Sequence, residues 1–237
     1  MIDVSILIPC YNCTSTLTRA VRSVMEQPAV SVEVALVNDA STDGTGQLIN
    51  ELAAQYPNVT AIHRTENGRI AATLNTAARN ATGRYFMRLD SDDWLERGCL
   101  ARLQAALDAN PQVGFVYGAR RYYGRRSDVY TPRPFNRADF DQHNAAGYSY
   151  LFRREIWDSG IDWQPLGTFG GAVIDLEDWQ HLQRMLGAGW AGLAMPDTLT
   201  LHYTFRWDGT WSELQANQQA ALAEFKRRFP SVKAEAL

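Results

Sequence analysis

Residues Asp90-Ser91-Asp92-Asp93 put three carboxylates into four positions, straight after the apolar run Tyr85-Phe86-Met87-Arg88-Leu89. Three acids this close repel one another, so a positive charge or bulk solvent has to sit among them. Oxygen-only ligands favour Mg2+ or Mn2+, which usually bridge to a substrate's phosphates instead of filling an all-protein cage. An acidic turn capping the next helix is the other reading of the same residues.

The elements that position this cluster follow a regular rhythm. Apolar runs at Val4–Ile8, Val32–Val37, Val59–His63, Tyr85–Leu89 and Val113–Tyr117 read as strands. Between them Ser15–Glu26, Thr45–Gln55, Ile70–Ala81 and Glu96–Ala109 have the length and one-sided apolarity of helices. Thr42-Asp43-Gly44-Thr45 supplies a turn and cap ahead of the second helix. Strand and helix in alternation predict an α/β fold, a mostly parallel central sheet covered on both faces. Ligands of such sheets gather at the carboxyl ends of the strands. Tyr11 and Asn12, Asp39, Asn67 and the Asp90–Asp93 cluster all follow strands and are expected to share one crevice.

The rhythm breaks after residue 118, and residues 119–146 show no clear period. Tyr148–Arg153, Ala191–Met195 and Leu199–Arg206 are strand-like, while Asp178–Leu186 and Ser212–Phe229 read as helices. Two halves, 1–118 and 119–237, are expected within one continuous domain, with a smaller mixed region beside the main sheet on the side of the second half. The chain has 237 residues, 46% hydrophobic and 21% charged, with a net charge of -3. That composition suits a globular protein with a real core and carries no bulk basic signal for nucleic acid. Three cysteines, Cys10, Cys13 and Cys99, have no framework spacing and point to a reducing compartment. With no membrane-span run and no basic-then-apolar leader in the sequence, the expected location is cytoplasmic.

Val4-Ser5-Ile6-Leu7-Ile8-Pro9-Cys10-Tyr11-Asn12, Val37-Asn38-Asp39-Ala40-Ser41-Thr42-Asp43-Gly44-Thr45 and Asp90-Ser91-Asp92-Asp93, in this order and spacing, resemble the family 2 glycosyltransferases of the GT-A fold. Glu177-Asp178-Trp179 and the Arg206 segment extend the resemblance over roughly residues 3 to 212. It implies an inverting, metal-dependent enzyme moving a sugar from a nucleotide-sugar, expected to be UDP-linked, to the hydroxyl of a carbohydrate or lipid-linked acceptor. Pro9, Tyr11, Asp39, Asn67, Arg69 and Asp90 then contact the nucleotide. Asp39 also reads as a turn-capping residue, since Ser41 and Gly44 follow it. Arg69 stands at a usual glycine position and reads equally as an exposed helix-start arginine. The resemblance gives Mn2+ or Mg2+ to Asp90 and Asp92. Asp208 matches a position where many relatives carry histidine, with His202 a nearby alternative as third ligand. Asp178 matches the general base, which takes the proton of an acceptor hydroxyl as that oxygen attacks the anomeric carbon. Glu177, Arg206 and Trp207 fall to the acceptor and diphosphate, and Trp163, Trp207 and Trp211 to a sugar-stacking wall or to core packing.

Other classes fit less of the sequence. Cys10-Tyr11-Asn12-Cys13 has thioredoxin-like spacing but leaves Asp39 and the acidic cluster unexplained. Pro9-Cys10-Tyr11-Asn12 is unlike a dinucleotide-binding glycine loop. A Mg2+-dependent phosphatase or nucleotidyltransferase also uses acids at strand ends, but would place an acid or a phosphate loop after the first strand. A non-catalytic carbohydrate-binding protein would need no base at Asp178. Lys226, Arg227 and Arg228, flanked by Phe225 and Phe229, offer either an anionic-lipid contact or a solvated helix end.

Overall fold

Val4–Cys10 is apolar at nearly every position, and all of it except Pro9 is buried, so neither face of this strand meets water. It is the centre of a computed structural model that describes residues 2–124, 127–169, 172–205 and 216–234. The first half alternates β1 (Val4–Cys10), α1 (Leu17–Met25), β2 (Val32–Asp39), α2 (Thr45–Gln55), β3 (Val59–Arg64), α3 (Arg69–Arg79) and β4 (Tyr85–Arg88). It continues through β5 (Trp94–Leu95), α4 (Cys99–Ala109), β6 (Val113–Gly124), β7 (Val129–Tyr130), α5 (Arg137–Phe140), β8 (Leu151–Arg153) and α6 (Arg154–Asp158). The last elements are β9 (Gly167–Phe169), β10 (Ala172–Ile174), α7 (Glu177–Gly187), β11 (Ala191–Phe205) and α8 (Gln218–Arg228).

One mixed sheet runs in the order β3-β2-β1-β4-β8-β6-β11-β5, with β7 added at β6. β3, β2, β1 and β4 are mutually parallel. β8 is antiparallel to both neighbours, β4 and β6. β6 and β11 are parallel, and β5 closes the far edge antiparallel to β11. Successive side chains of β1 point to opposite faces, which sorts the core into two layers. Ile6 and Ile8 pack with Leu17 and Val21 of α1, Ile49 of α2 and Leu103 of α4. Leu7 packs on the other face with Leu74 of α3, Phe86, Phe152, and Leu182 and Met185 of α7. A third cluster joins Trp179 of α7 to Ala221 and Phe225 of α8.

The expected strands and helices are present among the described residues, with four departures, the first that the strand expected over Tyr148–Arg153 narrows to Leu151–Arg153. The helix expected from Glu96 begins at Cys99, because Gly98 takes a left-handed turn (φ 78°) after Trp94–Leu95 has paired with β11. β6 runs on to Gly124 through a stretch without period, since β11 lies alongside it over that length. The two late strand candidates are one strand, β11, whose register shifts between Met195 and Leu199, where Pro196 interrupts the ladder. Residues 206 and 212–215 of the expected terminal elements lie outside the described residues. Among the described residues no helix is long and apolar enough to cross a membrane.

Candidate active site

A cleft of about 1140 Å³ opens at the carboxyl ends of the strands. Pro9, Tyr11, Asp39, Asn67, Arg69, Asp90, Asp92, Glu177 and Asp178 all line it. Its first wall is built from the loops after β1, β2 and β3. Asn12 (φ 48°) accepts from Thr42 N at 2.9 Å and donates its own N–H to Ser41 Oγ at 3.1 Å, tying two loops together. Tyr11 stands 52% exposed at this lip, free to stack on a planar ring. Asp39 is buried, and its Oδ1 accepts from Arg64 Nε at 2.8 Å and Gly68 N at 2.9 Å. The turn-capping role open to Asp39 belongs to its neighbour, as Asn38 Oδ1 accepts from Ser41 N at 3.0 Å. Arg69 adopts φ 61°, with its N–H on Asn67 Oδ1 at 3.1 Å. Its Nε lies 3.3 Å from Asp175 Oδ2, so a side chain that is still a third exposed also reaches an acid across the cleft.

The acidic cluster is organised by Arg88, two residues before it on β4. Alternation places both side chains on one side of the strand. Arg88 Nε and Nη2 grip Asp90 Oδ1 and Oδ2 at 2.7 and 3.0 Å, and Nη1 donates to Glu177 Oε1. The guanidinium is buried, 4.6 Å above the Tyr148 ring. Asp93 points inward, accepting from Tyr148 Oη and from Thr204 N at 2.6 Å. Burial, then the charges of Asp90 and Asp92, push its carboxyl well above the usual range. The Asp92 backbone carbonyl accepts from Arg19 Nη2 at 2.6 Å and Thr204 Oγ1 at 2.7 Å, which fixes the turn to α1 and β11.

Asp178 occupies the first turn of α7, entered through Leu176 in a left-handed conformation (φ 42°). Asn144 Nδ2 donates to its Oδ2 at 2.8 Å and Trp179 N to its Oδ1 at 2.7 Å. Burial raises the Asp178 carboxyl, opposed by the Arg88 charge and the Trp179 N–H. Burial likewise raises Glu177, with Arg88 opposing. A carboxylate held by two donors yet destabilised by burial has the character of a proton acceptor.

A divalent cation fits this donor set. Mg2+ and Mn2+ are commonly held by one or two carboxylates plus substrate phosphates, and Asp90 and Asp92 line the cleft together. Asp90 and Asp92 are the side chains that could hold it, with both Asp90 oxygens also engaged by Arg88. Among the described residues no three acids, histidines or cysteines converge on one point, so substrate oxygens would complete the shell. Asp208, Arg206, Trp207 and Trp211 lie outside the described residues. His202 is not poised as a ligand. It stacks on Trp94 at 4.9 Å, with Nε2 2.8 Å from Glu96 Oε2 and Nδ1 3.0 Å from Tyr123 Oη. Trp163 is buried against Phe152 and His181, a core residue and not a sugar platform. Cys10 and Cys13 are free, buried thiols.

Arg64, Asn144 and Tyr148 were not singled out by the sequence. Their partners lie 25 to 55 positions away, beyond any local pattern.

The fold has known counterparts. S. aureus TarS 1-349 in complex with UDP-GlcNAc superposes with a TM-score of 0.72 at 18% identity, covering 89% of this chain and 61% of that one. A mannosyltransferase from Pyrobaculum calidifontis in complex with GDP-Man and Mn2+ gives 0.70 at 23% identity, covering 96% and 64%. By fold the molecule is of the GT-A class. A chondroitin synthase of Pasteurella multocida is 45% identical over 93 residues, 39% of this chain and 10% of that protein. A chondroitin synthase of Escherichia coli is 42% identical over 126 residues, 53% of this chain and 18% of that protein. This chain thus matches less than a fifth of the length of either synthase. The family model for glycosyl transferase family 2 matches residues 5–172, and the chain belongs to that family.

Proposed function

We propose that the protein transfers a sugar from a UDP-sugar to an acceptor hydroxyl with inversion at the anomeric carbon, and depends on Mn2+ or Mg2+. The convergence of Asp39, Asp90, Asp92 and Asp178 on one cleft, from separate strand and helix ends, carries this reading. Tyr11 stacks on the base, Asp39 accepts from base or ribose, and Arg64 and Gly68 fix the rotamer of Asp39 for that contact. Asp92, with Asp90, would hold the cation, which when bound neutralises charge growing on the departing diphosphate. By the family resemblance alone, Asp208 is a further candidate for the cation, and Arg206 and Trp207 are candidates for the acceptor or diphosphate. Asp178 takes the acceptor proton, and Glu177 orients the acceptor from beside it. A single base across from the leaving group supports one in-line displacement, and therefore inversion. A donor half (1–118) and an acceptor half (119–237) would meet inside β6, which supports reading them as one continuous domain.

TarS is seen with UDP-GlcNAc and the mannosyltransferase with GDP-Man, so the donor nucleotide is the first point to test. Calorimetric titration with UDP and GDP, each with and without Mn2+, is expected to show metal-dependent UDP binding. Asp92→Ala is expected to remove the metal dependence. Asp178→Asn is expected to bind UDP normally while losing about 1000-fold or more in kcat, the scale of a lost general base. Near-full turnover in Asp178→Asn would sink its assignment, and preference for GDP would reassign the donor.

A further inference from the structure

Three arginines line the cleft among the described residues, and two are matched to acids: Arg69 to Asp175, Arg88 to Asp90 and Glu177. Arg120 differs. Its Nη1 donates to Ala146 O at 2.9 Å and its Nε to Tyr122 Oη at 2.7 Å, both neutral oxygens. Its Cζ sits 4.1 Å over the Tyr130 ring. These contacts use two of five N–H donors. Among the described residues no carboxylate pairs with it.

The surroundings are shaped to hold this cation. Gly147 adopts φ 69°, which favours glycine, and a Cβ there would fall 2.2 Å from Arg120 Nη1, so a side chain would move the guanidinium from its present position. The same short segment orients the proposed base, because Asn144, two residues before Ala146, donates to Asp178. Arg120 also lies on β6, with β8 between it and the strand that carries the acidic cluster. It therefore belongs to the acceptor side. Beyond it lies a second hollow of about 330 Å³, lined by Tyr117, Tyr130, Arg133, Asp139 and His143, and His143 also borders the main cleft.

We propose that Arg120 is a specificity-determining residue that binds an anionic group on the acceptor, a carboxylate or a phosphate close to the hydroxyl that is glycosylated. The proposal rests on the sugar-transfer reading and adds the class of acceptor. A planar fork pre-set by stacking and two neutral hydrogen bonds matches either anion in two-point contact. A partly buried cation that lines an otherwise acid-rich cleft and has no acidic partner among the described residues gains from a ligand that brings the opposite charge.

The test begins with release of nucleoside diphosphate from UDP- and GDP-sugars with Mn2+, without acceptor. With the active donor, acceptors are then offered in matched pairs: a glucuronate-ended oligosaccharide against its carboxyl-reduced form, and a phosphate-bearing glycan against its phosphatase-treated form. The anionic member of one pair is expected to be favoured, and the pair that responds separates carboxylate from phosphate. Arg120→Gln, which keeps a donor for Ala146 O, is expected to raise the KM for that acceptor on the order of tenfold or more, with the neutral member little changed. Gly147→Ala, which displaces the guanidinium without removing its charge, is expected to act in the same direction. Equal use of charged and neutral acceptors overturns the proposal. A rise in donor KM instead of acceptor KM in Arg120→Gln also overturns it, by assigning Arg120 to the diphosphate. If no donor yields nucleoside diphosphate, whether by transfer of the sugar to water or to any acceptor offered, the sugar-transfer reading fails and the acceptor proposal goes with it.

Discussion

Arg88 holds Asp90 with two nitrogens and Glu177 with the third, on a residue that is 8% exposed. Removing one partner of such a buried network strands the others, at a cost of about 3–5 kcal/mol. Arg88→Met is expected to lose that much stability in urea unfolding. Adding Glu177→Gln should restore part of it by removing one stranded charge, and a further loss in the double variant would show that the pair is not coupled as described. The Arg88 charge also lowers the Asp178 carboxyl against the effect of burial. Without it Asp178 holds its proton to higher pH, so the acidic limb of the rate profile should move upward, as activity needs the ionised form. The sequence shows Arg88 beside Asp90, and strand alternation puts them on one side. Glu177, 89 positions on, is joined to them only by the fold.

At the scale of elements, α7 carries the proposed base and is braced from behind. Trp179, next to Asp178, stacks on Phe225 of α8 with ring centres 4.4 Å apart, and its Nε1 donates to Phe140 O at 2.8 Å. The basic end of α8 serves the same brace, since Arg228 Nε pairs with Glu224 at 2.8 Å and Nη1 reaches Pro165 O at 3.1 Å. Phe225 is buried in that contact and is not offered to a membrane. Phe225→Ala is expected to cost about 3–5 kcal/mol and to lower kcat more than it raises donor KM. Unchanged kcat in a folded variant would separate the brace from the chemistry. Periodicity made α7 legible, through Leu182, Met185 and Leu186 on its buried face. It did not reveal β5, β7 or β9, because strands of two or three residues are set by their pairing partners and not by their own pattern.

Across the whole molecule, the sequence told most where the chain is most local. The four parallel strands and their helices were readable because each is a long run with its own period. The crevice was readable because strand ends converge by rule. The second half was less so: β6 beyond Gly118, the bulged β11 and the loop around Gly147 depend on neighbours distant in sequence.

The antiparallel β8 between β4 and β6 has a consequence for the time order of assembly. β1, β2, β3 and β4 pair within residues 4–88, whereas β4 waits for Leu151–Arg153 to complete its other edge. Once β1, β2 and β3 are joined, β4 reaches β1 by closing only residues 65–84, whereas β8 has to close residues 89–150, so the first half of the chain should form first and the second dock onto it. In a pulse-labelled refolding experiment, β1 amides should gain protection before those of β8, and the reverse order would contradict this route. A chain caught between the two stages would expose the unpaired edge of β4, beside Phe86, in the middle of its sheet, which is where a slow folder of this design is open to misassociation.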